Sequence, residues 1–283
     1  MTIQLLNGLV YGGLLYILSV GLVLIFGLRR VVNFAHGSLF MIGAYIGYSV
    51  AVYAGFYAGL AASVVAMAVL GVLLDIGVFR PLQKHDPLLT VLVTFGMLLI
   101  LEDFARTVWG KDYISVTVPP SLSGNLELFG FSYPLYRLLV IVVSLLTVGG
   151  LSAWLRYSAI GLYVRASSAD AVTTGMQGVN TDRVSAIVVA VGAALAGMSG
   201  VIASPLMALS PSMGGYILVD CFIVVVVGGL SSFGGAFLAA MLIGQIHNFG
   251  IVYLPTAASA IPFVLMIAVL IWRPNGFSGK SSA

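Results

Sequence analysis

The chain has 283 residues, of which 60% are hydrophobic and only 7% charged, against roughly 25% charged in soluble domains. Twelve basic and nine acidic side chains leave a formal net charge of +3. So few charges exclude a water-facing globular surface. The hydrophobicity excludes intrinsic disorder, and the small positive excess excludes a nucleic-acid-binding surface.

In chain order, continuous apolar runs fall at residues 5–28, 31–54, 56–79, 88–105, 135–155, 184–204, 217–230, 236–254 and 256–272. A span needs about 20 apolar residues to cross roughly 30 Å of hydrocarbon. Runs that are continuous rather than alternating exclude a β-barrel. The expected fold class is all-α: one polytopic transmembrane bundle over residues 1–283 with about nine spans, or eight if 217–230 is re-entrant.

No basic stretch precedes the first run, so a cleavable signal peptide is not expected. Arg29 and Arg30 close that run and place its end in the cytoplasm by the positive-inside rule. Alternation from there puts nine of the twelve basic residues inside, with Arg106, Lys111 and Arg137 outside. The arrangement is N-out and C-in.

The segment Asn33-Phe34-Ala35-His36-Gly37-Ser38 follows with almost no hydrophilic loop. It has two readings. One is a snug interfacial turn with His36 capping a helix. The other is non-helical backbone at membrane depth, tolerated only when buried in protein or lining a water-filled path. The residues alone leave both open.

Asp75, near the inner end of span three, is expected to be solvated. Asp103 and Arg106, three apart at the outer end of span four, suit a pair on one helical face. Residues 106–134, with Pro119, Pro120, Ser121, Ser123, Gly124 and Asn125, form an outside loop. Residues 156–183 lie inside and are rich in Ala, Val, Ser and Thr, which suits short helices at the membrane surface. Small residues recur every four positions at Gly8/Gly12, Gly43/Gly47, Gly192/Ala196/Gly200 and Ala236/Ala240/Gly244. Such stripes let helix backbones approach closely. Cys221, the single cysteine, is expected to be a small buried hydrophobe. Asp220 opens span seven, and His247 and Asn248 are expected to hydrogen-bond between helices.

Chemistry-bearing motifs are absent. The glycine-rich run Gly228–Gly235 lacks the lysine of a P-loop and reads as a tight turn. No His/Cys metal spacing occurs, nor a potassium-filter motif or an acid–base chain through the spans. The chain is not expected to be an enzyme or to bind a cofactor.

Residues 21–38, Gly-Leu-Val-Leu-Ile-Phe-Gly-Leu-Arg-Arg-Val-Val-Asn-Phe-Ala-His-Gly-Ser, resemble the signature of the LivH-type permease subunits of branched-chain amino acid ABC importers. The resemblance continues through the 156–183 loop, Ala190–Val201, Gly228–Gly235 and Arg273-Pro-Asn-Gly-Phe277, so it covers nearly the whole chain in order. It departs at Ser38, where many members carry an acidic residue, and at Leu162, where many carry a basic or polar one.

The resemblance implies a pore-forming subunit in a bacterial or archaeal plasma (inner) membrane, paired with a second related permease. Two cytoplasmic ATPases would bind ATP and Mg in its place, and an extracytoplasmic binding protein would deliver leucine, isoleucine or valine. Asn33, Phe34, His36, Gly37 and Ser38 would lie near the translocation pathway. Gly161, Arg165, Ala166, Asp170, Ala171 and Gly178 would lie in the loop that docks on an ATPase. The halves on either side of span five would be inverted repeats, with Ser210–Gly215 the counterpart of Asn33–Ser38. A permease of the same type for urea or short-chain amides is one alternative. A self-sufficient channel or secondary transporter for small neutral solutes is another.

Overall fold

The structure, a computed structural model, describes residues 1–83, 85–128, 130–256, 258, 260–273 and 276–277. Lys84 and Lys280, both expected inside, and Pro274 and Asn275 of the terminal motif lie outside the described residues.

The helices run α1 (Thr2–Arg29), α2 (His36–Ala54), α3 (Phe56–Leu74), α4 (Arg80–Leu82), α5 (Pro87–Trp109), α6 (Leu135–Tyr157), α7 (Ala159–Ala169), α8 (Ala171–Met176), α9 (Thr181–Ala203), α10 (Met213–Gly228), α11 (Phe233–Tyr253) and α12 (Ile261–Trp272). A π-turn at Asp75–Phe79 joins α3 to α4, so that one helix runs continuously from Phe56 to Leu82. Among the described residues, seven helices are long and apolar enough to cross a membrane: α1, α2, the α3–α4 helix, α5, α6, α9 and α11. The runs expected at 217–230 and 256–272 form shorter helices, α10 with 16 residues and α12 with 12.

The all-α expectation holds for the bundle, but the loop over 106–134 departs from it in two ways. Arg106 remains inside α5, which runs to Trp109 and stops at Gly110 with φ 88°. Further on, β1 (Asn125–Leu128) pairs antiparallel with β2 (Phe131–Pro134). Ile114 also forms an isolated bridge with Leu209, exchanging both backbone hydrogen bonds.

A helix that is apolar on all sides belongs inside a core or in lipid. Here α1 takes the central place: every residue from Leu14 to Ile25 is buried. It packs on α11, α9, α6 and α10, while α9 packs on α3 and α2. The outer helices leave large apolar side chains uncovered, among them Val65, Leu92, Ile100 and Leu146, which suits contact with acyl chains.

The small-residue stripes meet one another. A Cβ at Gly12 would strike the Ala240 carbonyl oxygen, and one at Gly43 would strike the Gly197 backbone. The α1–α11 and α2–α9 seams therefore close with backbone nearly on backbone, where dispersion rather than hydrophobic burial supplies the attraction.

Candidate functional site

Arg30 ends α1 in the left-handed conformation (φ 56°), its N–H bonded to the Phe26 carbonyl. The chain then turns back into the bundle. Asn33 Oδ1 accepts the Ala35 N–H at 3.0 Å, and the Phe34 N–H donates to Thr94 Oγ1 of α5 at 3.2 Å. His36 opens α2, with Nε2 2.9 Å from the Leu18 carbonyl oxygen of α1. A carbonyl only accepts, so the ring is held as the Nε2–H tautomer. Leu18 lies eleven residues before the end of α1, or about 16 Å along its axis. The start of α2 is therefore deep within the bundle. Asn33 and Ser38 are as fully buried as His36.

The turn is thus irregular backbone buried inside the protein, with His36 against the middle of α1. Asn33 Nδ2 and His36 Nδ1 are buried with no hydrogen-bond partner among the described residues. Each such group costs about 1–3 kcal/mol.

The N-terminus of α10 comes to the same place. A Cβ on Gly37 would meet the Gly214 carbonyl oxygen, and one on Gly214 would meet that of Gly37. Only glycine permits this contact from both sides. The segments Asn33–Ser38 and Ser210–Gly215, each following a long helix, are thus brought together. Ser38 reaches the Leu98 carbonyl oxygen of α5 at 3.4 Å, and Phe34 lies against Phe222 of α10 and Phe95 of α5.

One expectation is corrected. Asp75 is fully buried rather than solvated. Its Oδ1 takes Arg29 at 2.5 Å and the Ser185 hydroxyl at 2.7 Å, and its Oδ2 takes Arg80 at 2.8 Å. Arg80 also donates to the Asp182 carbonyl oxygen at 3.0 Å. This clasp ties the ends of α1 and α3 to the start of α9. Single π-turns inside α-helices are frequent at functional sites, and this one brings Arg80 onto the Asp75 carboxylate. Sequence reasoning missed the cluster because Arg29 and Ser185 are 46 and 110 residues from Asp75. A second pair also differs: Arg106 faces Glu102 at 3.8 Å, one turn back, rather than Asp103.

The 156–183 segment forms the short helices α7 and α8. Ser158 caps α7 by accepting the Gly161 N–H at 2.9 Å. Asp170 caps α8 by accepting the Val172 and Thr173 N–H groups and the Thr173 hydroxyl. Asn180 caps α9. The six expected docking residues separate by environment. Arg165, Asp170, Ala171 and Gly178 are exposed, and Ala166 is half-buried. Gly161 is buried because α7 folds back onto the end of α6, where a Cβ would strike the Trp154 and Leu155 carbonyls. Gly178, with φ 86°, makes the turn between α8 and α9. Leu162, Tyr163, Val172 and Met176 stand exposed beside them.

The Thr173 hydroxyl and backbone N–H hold the Asp170 carboxyl below its ordinary value. A depressed carboxyl stabilises the fold above its unfolded value near pH 4, and that contribution disappears as pH falls through the folded value. Hydrogen exchange at Val172–Thr174, corrected for the intrinsic pH effect, will therefore accelerate on acidification. In Asp170→Ala it will be fast at neutral pH and will not respond further to acid.

A family model described as the permease component of the branched-chain amino acid transport system matches residues 4–270. The chain is 28% identical over 294 residues to the high-affinity branched-chain amino acid transport system permease protein BraD of Pseudomonas aeruginosa, covering 98% of this chain and 95% of that protein. It is 26% identical over 295 residues to the corresponding LivH protein of Escherichia coli, with the same coverage. It is 27% identical over 289 residues to a probable branched-chain amino acid transport permease protein LivH of Methanocaldococcus jannaschii, covering 96% and 91%. No solved structure matches the chain.

Proposed function

Because the chain belongs to the branched-chain amino acid transport permease family, matched over residues 4–270, we propose that it imports leucine, isoleucine and valine as one of two pore-forming subunits. In this reading a second, related permease completes the pathway. Two cytoplasmic ATPases hold ATP and Mg, and a binding protein outside delivers the substrate to a multi-pass chain in the plasma (inner) membrane.

The observation that carries the mechanism is the junction of α2 and α10 at Gly37 and Gly214. Non-helical backbone at depth is tolerated where it is buried in protein or lines a pathway, and transporters place broken helices beside their substrate sites. The partner exchange of the helices, α1 on α11 and α9 on α3 with α1 against α9, is what two inverted halves around that junction would give. Such halves rock against each other about a central site. Asn33, Phe34, His36, Gly37 and Ser38 then form a hinge beside the pathway, and its unpartnered Asn33 and His36 nitrogens gain partners when the halves move. Nine crossings with N-out and C-in require both short helices to complete a crossing: α10, about 24 Å long, with Ser204–Ser212 descending to the junction, and α12, about 18 Å long.

The exposed apolar side chains of α7 and α8 supply an ATPase docking face, with Arg165 and Asp170 at its polar positions. The Asp75 clasp joins that face to the core: Arg30, beside Arg29, donates to the Ser168 carbonyl oxygen of α7. ATP-driven motion of α7 therefore reaches α1, α3 and α9 together. Arg165→Glu should leave the chain folded but cut leucine uptake at least tenfold, with loss of ATPase stimulation by loaded binding protein. Normal uptake in that variant would remove α7 from the coupling path.

The function is tested in cells with and without the gene. Loss of high-affinity leucine uptake that valine and isoleucine block, and urea does not, is the expected result. Unchanged leucine uptake with lost urea or amide uptake would replace the substrate.

A further inference from the structure

A cavity of about 330 Å³ lies between α1, α2, α6, α9, α10 and α11. It sits beside the N-terminal half of α1, at the end of the bundle away from α7. An apolar protein cavity of roughly 150 Å³ holds benzene, so this one has room for the nine heavy atoms of leucine. Its walls are of two kinds. Leu14, Phe40, Leu206 and Ile217 give an apolar side. Arg137, Asn7, Tyr11 and His247 give a polar one.

The polar side carries one charge, Arg137, and a charge of opposite sign, Asp220, sits behind the lining Tyr11. Arg137 donates to Asn7 Oδ1 at 2.5 Å, and the same oxygen accepts the Tyr133 hydroxyl at 2.9 Å. Among the described residues no carboxylate faces Arg137. A guanidinium at the edge of a membrane bundle is costly without an anion, and its fork matches a carboxylate bidentately. One turn along α1 from Asn7, the Tyr11 hydroxyl donates to Asp220 Oδ2 at 2.6 Å, and the Tyr11 ring stacks on His247 with centroids 4.4 Å apart. Among the described residues Asp220 forms no salt bridge, and His247, stacked on Tyr11, is the ionisable side chain near it.

We propose that this cavity is the receiving site of the permease for a zwitterionic α-amino acid with a branched aliphatic side chain. Arg137 takes the α-carboxylate. Asp220, reached once the Tyr11 hydroxyl turns aside, takes the α-ammonium, and the Leu14–Phe40–Leu206–Ile217 wall takes the side chain. An uncharged amide or urea satisfies neither charge and is rejected. This assignment rests on the import reading above and adds the residues that select the substrate.

The test uses the complete transporter purified with Cys221→Ala and Leu206→Cys, so that the sole thiol of this chain lies in the cavity. Leucine at ten times its half-protecting concentration will slow alkylation of that thiol about tenfold. Valine will do the same. Leucinamide, without the carboxylate, and 4-methylpentanoate, without the ammonium, will not. Arg137→Gln will abolish protection measured against that variant's own unprotected rate, and Arg137→Lys will restore part of it. If the complex imports leucine but leucine leaves Leu206→Cys alkylation unchanged, the site is wrong and the import reading stands. Protection that survives both Arg137→Gln and Asp220→Asn overturns the charge pairing. A complex that imports no amino acid overturns both.

Discussion

Replacing Asp75 by asparagine will destabilise the protein by about 3–5 kcal/mol. At roughly 2–4 °C per kcal/mol for a chain of this size, its melting temperature in detergent will fall by about 10 °C. Asparagine keeps the volume and removes the charge, so Arg29, whose side chain is only 7% exposed, is left as an uncompensated buried cation. Arg80, at 30% exposed, can turn to water. If charge is the cause, the double variant Asp75→Leu with Arg29→Met recovers most of the loss, because replacing both buried partners with apolar groups is often neutral or better. If the double variant melts as low as the single one, the clasp acts through packing and the electrostatic account fails. Because the clasp joins α1, α3 and α9, Asp75→Asn will also lower leucine uptake per ATP hydrolysed in whatever protein survives.

Gly37→Val has the second large effect, and it separates stability from function. The added Cβ meets the Gly214 carbonyl oxygen and the Leu218 side chain. Backbone cannot move aside as a side-chain end can, so α2 and α10 must separate. Overpacking typically costs about 1–3 kcal/mol. A melting shift of a few degrees is therefore expected together with loss of transport, since the two helices meet where the halves move. Gly214→Val should reproduce it. Gly27→Val serves as the control, because a Cβ there meets nothing within 4 Å. A Gly37→Val protein that transports normally would show that the junction does not move.

Much of this architecture was legible in the residues. Continuous apolar runs located seven long helices because a membrane span must satisfy its backbone internally and be apolar around its whole circumference. The four-residue stripes at Gly8/Gly12 and Ala236/Ala240/Gly244 marked helix faces, and the structure packs those two stripes on each other. The Ala-, Val-, Ser- and Thr-rich composition of 156–183 suited short helices, and the structure forms α7 and α8 there, capped by Ser158 and Asp170. Other features could not be read locally. Asp75 was taken as solvated because its partners Arg29 and Ser185 come from distant helices. The choice of Glu102 over Asp103 by Arg106 depends on helix phase within a single turn. The β1–β2 hairpin is held by only four residue pairs, too few for a periodic signal. The cavity around Arg137 draws lining residues from Asn7 to Ile251, so no spacing announces it. Burial was also hidden: the composition of Asn33–Ser38 gives no sign that His36 packs against Leu18, eighteen residues earlier.

The central claim is that this chain moves a branched-chain amino acid only as part of an ATP-driven assembly. The most direct measurement is uptake of radiolabelled leucine into proteoliposomes holding the chain with its partner permease, ATPases and binding protein, compared with liposomes holding the chain alone. The account predicts leucine accumulation that requires ATP and every partner, is competed by isoleucine and valine but not by urea, and is absent for the chain alone. Leucine or urea flux through the isolated chain without ATP would contradict it and establish a self-sufficient channel or secondary transporter.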